Sequence, residues 1–150
     1  MRATRSAALL LVLAGCPKAS TVALSSLPSL DQDNPRLAVE GTATLTTTPG
    51  AGTALHADIT IAPDARSSVR VDLSRVGLQV DGYPWEDCKP GVIDYEQQVR
   101  LVGAGERLFQ PIDCHDLPKP HDHIVVRLFI TGAGTKGTVD LTFTEPQAAG

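Results

Sequence analysis

Between Leu37 and Thr144 apolar and polar residues alternate with a period of two almost without interruption, and that pattern points to half-buried β-strands. Successive side chains on a strand point to opposite faces, so each run sends one set of residues to a core and the other to water. Leu37, Val39, Ala43 and Leu45 alternate with Glu40, Thr42, Thr44 and Thr46; Leu55, Ala57, Ile59 and Ile61 alternate with His56, Asp58 and Thr60. Val69, Val71 and Leu73 follow against Arg70, Asp72 and Ser74, then Val76, Leu78 and Val80, and later runs centre on 95–102, 107–112, 124–131 and 138–144. Turn chemistry separates them at Pro49-Gly50-Ala51-Gly52, Ala62-Pro63-Asp64, Asp81-Gly82, Lys89-Pro90-Gly91 and Gly103-Ala104-Gly105. No window holds a helical period over ten or more residues.

About eight short strands in roughly 110 residues imply an all-β domain over residues 36–146, followed by a frayed tail at 147–150. The architecture resembles an antiparallel, immunoglobulin-like sandwich of about seven or eight strands, with a small closed β-barrel as the alternative. The resemblance is architectural only. Trp85 precedes both Cys88 and Cys114 instead of lying between them, and Ile112 stands where a tyrosine corner would place its tyrosine. Antigen-like recognition is therefore not carried over.

The chain opens MRATRSAALLLVLAGC: Arg2 and Arg5, an apolar run from Ala7 to Ala14, then Gly15 and Cys16. Charge, apolar run and small residue, in that order, make a secretory signal over residues 1–15, too short to span a bilayer. Leu13-Ala14-Gly15-Cys16 resembles the lipobox of bacterial lipoproteins. Membership implies cleavage before Cys16, a diacylglyceryl group on its sulfur, an acylated amino terminus and hence a lipid bilayer as partner. An ordinary signal peptide cut nearby is the alternative. Several acyl chains, at about 0.8 kcal/mol per buried CH₂, would hold the protein firmly. Pro17 occupies the position of the aspartate that signals inner-membrane retention, which favours the outer membrane. Residues 16–35, rich in serine and proline, read as the lipidated cysteine and a flexible tether with a reach of roughly 25 Å.

With Cys16 committed to lipid, Cys88 and Cys114 remain as an even pair in an oxidising compartment, and a disulfide between them is expected. The competing reading is two free or metal-binding thiols. The formal charge is −4, and two units more negative without Arg2 and Arg5. An acidic chain without a basic run is a poor match to a phosphate backbone, so no nucleic-acid partner is expected.

Three segments carry chemistry. Gly132-Ala133-Gly134-Thr135-Lys136-Gly137 matches GxGxxG, but alternating residues on both sides place it in a β-hairpin loop, where no helix receives a pyrophosphate; no nucleotide is expected. In Asp113-Cys114-His115-Asp116-Leu117-Pro118-Lys119-Pro120-His121-Asp122-His123, His121 and His123 share a face if the strand has begun, and His115 or a neighbouring aspartate is a candidate third ligand for zinc or copper(II). Against that, histidines beside aspartates and prolines also suit a solvated turn, and the fuller histidine set of copper–zinc superoxide dismutase is missing. Finally, Tyr83 and Trp85 lie among Asp81, Glu86 and Asp87 just before Cys88. They suit a protein partner or a sugar ring, or else Trp85 packs on the disulfide. A Cys88–Cys114 bridge would bring this loop and the histidine loop to the same end.

There is no GxSxG elbow and no HExxH, and a domain with no long loops for a cleft is not expected to be an enzyme. The sequence therefore describes an envelope lipoprotein with a non-catalytic binding or scaffolding module and an unidentified envelope protein partner. A metal-binding lipoprotein is the alternative.

Overall fold

A computed structural model describes residues 18–27, 34–90, 98–119 and 121–145. The leader, Cys16, the residues 91–97 at the head of the expected 95–102 run, and the tail fall outside these. The chain forms β1 (Ser20–Ser26), β2 (Leu37–Thr48), β3 (Gly52–Pro63), β4 (Val69–Val80), β5 (Glu86–Asp87), β6 (Lys89–Pro90), β7 (Val99–Val102), β8 (Leu108–Cys114), β9 (Ile124–Gly132) and β10 (Gly137–Thr144). Eight of these are at least four residues long, and every pairing is antiparallel.

One sheet runs β5-β4-β9-β10-β1-β2-β3-β8-β6, with β7 also on β4. Its two ends approach each other through a single stretch of chain. β5 pairs with β4 at Leu78↔Glu86 and Gly77↔Asp87, and β6 pairs with β8 at Lys89↔Asp113 and Pro90↔Ile112. Between them the Cys88 N–H donates to the Val76 carbonyl at 2.7 Å, and Cys88 is bonded to Cys114 across a Cα–Cα distance of 4.8 Å. Residues 86–90 thus join the β4 edge to the β8 edge, and the sheet is a nearly closed, barrel-like wrap that fits a sandwich or small barrel. On the remaining flank β7 and β8 are linked by the loop 103–107 but share no ladder.

A single core fills the interior, and its largest fully buried side chains include Phe143, Leu55, Ile59, Ile61, Leu128 and Leu141. Alternation alone assigns these residues inward. Gly41 also points inward, because a Cβ there would stand 3.2 Å from the Phe143 ring and 3.0 Å from the Asp58 carbonyl. In β4 the expected runs 69–74 and 76–80 are one strand with a register shift between Asp72 and Val76, so that Ser74 and Arg75 both face out.

One expectation is corrected. Ser20–Ser26 is not part of a free tether: it is β1, paired with β2 from Ser20↔Thr47 to Ser25↔Thr42 and with β10 at Ser25↔Thr144 and Ser26↔Phe143. Leu24 is buried and Val22 packs against the core. The strand fills the space between β2 and β10, whose backbone groups would otherwise lack partners on that side.

Candidate functional site

Antiparallel pairing gathers one set of turns at one end of the sheet: the β2–β3 turn, the residues after Val80, and the segment between Cys114 and Ile124. Asp81 ties two of them together. Its Oδ2 accepts from the backbone N–H groups of Asp122 and His123 at 3.0 and 2.9 Å, while its own N–H donates to the His123 carbonyl at 3.2 Å. The Tyr83 hydroxyl donates to the Lys119 carbonyl at 2.8 Å. Leu117 plugs the end of the core, its N–H donating to the Thr53 carbonyl at 3.0 Å. The tyrosine loop, the histidine loop and the Cys88–Cys114 bridge therefore share one end, as the expected disulfide required.

Trp85 packs on β4. Its ring lies flat on the outer face of β4, where a Cβ on Gly77 would meet it at 3.2 Å, and the Arg127 guanidinium stacks on it 4.0 Å from the ring centroid. Arg127 is held by a two-pronged contact with Asp140, Nε to Oδ1 at 2.7 Å and Nη2 to Oδ2 at 2.9 Å. Asp140 also keeps the guanidinium above its already high ordinary pKa. The arrangement spans β10, β9 and β4 and leaves Trp85 38% exposed; Tyr83, outside it, is 39% exposed.

The histidines separate. His123 and His115 are exposed, and His121 turns its Nδ1 towards the Pro118 carbonyl at 3.3 Å. Among the described residues no three of His, Cys, Asp and Glu are grouped to hold a metal ion, so His115, His121 and His123 are not brought together as a ligand set. The GxGxxG segment is the β9–β10 hairpin loop, as the flanking alternation required. Gly132 sits at φ +100°, and a Cβ there would lie 2.6 Å from the Ser68 carbonyl, so its glycine serves a close backbone approach.

Two arrangements escape a linear reading. His56 on β3 faces Asp113 on β8 in register; its Nδ1 lies 2.6 Å from Asp113 Oδ1 and its Nε2 3.4 Å from Asp58 Oδ1. The hydrogen bond to Asp113 raises the His56 pKa; desolvation opposes it, and the charges of Asp113 and, to a lesser extent, Asp58 add to the rise. Beside this cluster an open polar groove of about 480 Å³ runs between Glu40, Thr42, Asp58, Thr60 and Ser26.

The second lies on the flank where β7 and β8 share no ladder. Leu101 is 79% and Phe109 70% exposed, far more than any other large apolar side chain described, and Val99 joins them. Here β7 is paired only on its β4 side, and residues 108–111 of β8 only on their β3 side, among the described residues. Both residues sit at outward positions of alternating strands, a signal present in the sequence, but only the topology places them on one flank.

No protein-family model matches the chain, and neither the curated proteins nor the solved structures compared with it give a match.

Proposed function

We propose that this chain is a lipid-anchored protein of the bacterial envelope whose β-domain is a non-catalytic binding module, and that its partner docks on the β7–β8 flank. The anchor reading rests on Leu13-Ala14-Gly15-Cys16 and is supported by the Cys88–Cys114 disulfide, a bond suited to an oxidising compartment. The observation that carries the binding reading is the exposure of Leu101 and Phe109 beside backbone edges that no described strand occupies. Natural sheets protect their edges, and an edge flanked by apolar side chains suits addition of an extended segment from another protein. Tyr83 and Trp85 suit that role less well, since the Tyr83 hydroxyl and the Trp85 ring already serve contacts within the domain.

Photo-crosslinking in intact cells tests this. A crosslinking residue at 101 or 109 is expected to trap one discrete protein, lost in the companion variant Phe109→Ser or Leu101→Ser. Crosslinks confined to positions 83 and 85 would move the binding surface to the loop end. For the anchor, Cys16→Ser is expected to abolish fatty-acid labelling and membrane retention; persistent labelling would refute lipidation there.

A further inference from the structure

β1 begins at Ser20, which leaves only residues 17–19 between Cys16 and the folded sheet. Fully extended, the four steps from Cys16 to Ser20 reach at most about 14 Å. A diacylglyceryl group fixes the cysteine at headgroup level, and the headgroup layer of one leaflet is itself about 6 Å deep. Even fully extended, the start of β1 therefore stands at most about 8 Å above the headgroup layer.

The register decides which end is held there. Ser20 pairs with Thr47, Thr47 with Thr53, and Thr53 accepts from the Leu117 N–H, so the start of β1 lies at the end carrying the β2–β3 turn and the 115–123 segment. Tyr83 belongs to the same end through Lys119. The charges there are of both signs, Lys18 and Lys119 against Asp81, Asp116 and Asp122, which matches headgroups that themselves carry both signs. A half-exposed tyrosine is a side chain favoured at a lipid–water interface.

We infer that, in the lipidated protein, this end rests on a zwitterionic phospholipid surface with Tyr83 and the turn 49–51 at headgroup level, and that the opposite end, with the loops 64–68, 103–107 and 133–136, faces away. Leu101 and Phe109 lie towards that far end, since β7 and β8 meet at the 103–107 loop. This rests on the lipoprotein reading above, and it assigns the loop end to lipid and the β7–β8 flank to the partner.

The test uses the acylated full-length protein, extracted from membranes and reconstituted in phosphatidylcholine–phosphatidylethanolamine vesicles containing a nitroxide-headgroup lipid. Fluorophores are placed through Ala51→Cys and, at the far end, Ala104→Cys. Quenching is expected to be several-fold stronger at 51 than at 104. Inserting about a dozen glycine and serine residues after Lys18 should abolish the difference while the protein still floats with the vesicles. Flotation with equal quenching at both positions, or stronger quenching at 104, overturns the orientation and leaves the anchor standing. Absence of acyl mass on Cys16 together with loss of flotation removes the anchor, and the orientation with it.

Discussion

Replacing both Cys88 and Cys114 by serine tests the claim that residues 86–90 join the two edges of the sheet. The bridge spans a sequence separation of 26. A crosslink closing a loop of that length removes about 12 cal/mol/K of entropy from the unfolded chain, or about 3.5 kcal/mol at 25 °C. A domain of about 115 residues unfolds with an entropy near 0.24 kcal/mol/K, so the melting temperature should fall by about 15 °C. Serine also leaves two hydroxyls where the buried sulfurs stood, which adds to the loss. Urea unfolding of the double variant beside the oxidised parent measures the free energy, and calorimetry measures the shift. Hydrogen exchange locates the effect: the Cys88 N–H, bonded to the Val76 carbonyl, should lose protection before amides of β2 and β3. A loss below about 1 kcal/mol with that amide still protected would refute the reasoning. It would mean that β5, β6 and the Trp85 stack hold the edges together by themselves.

Three further outcomes are expected. Trp85→Ala uncovers Gly77 and breaks the stack on Arg127, costing about 1 kcal/mol in urea unfolding, and Asp140→Asn should show a smaller loss of the same kind. His56 gains its proton more readily in the folded state, so its contribution is fully present below its unfolded pKa and fades as pH rises through the raised folded value. Asp113→Asn should therefore lower the urea midpoint at about pH 5.5 and leave it nearly unchanged at about pH 8.5, with the His56 ring titrating lower by NMR. Gly132→Ala forces a side chain against the Ser68 carbonyl at positive φ and should cost more than about 1 kcal/mol; Gly50→Ala, also at positive φ but with open space around it, should cost less.

Alternation, turn chemistry and cysteine parity were legible along the chain because each is a local property, set by a few neighbouring residues. They assign Ile59, Leu128 and Phe143 inward, place the glycines of 132–137 in a hairpin and leave Cys88 to join Cys114. β1 was hidden because Ser20-Thr21-Val22-Ala23-Leu24-Ser25-Ser26 offers only two large apolar residues between prolines and serines. Its place comes from the two strands that leave a slot for it.

Composition and periodicity by themselves determined that this protein is an all-β domain with one face of each strand committed to a core, and Cys16 stands in a motif that resembles a lipid attachment site. Only the tertiary structure decided which strands are neighbours. It set His56 beside Asp113 across 57 positions, laid Trp85 on Gly77, and put Leu101 and Phe109 on one flank without a shared ladder. Strand order and register are contacts between distant segments. The period-two pattern is the same for every pairing that keeps the apolar faces together, so it does not distinguish among them.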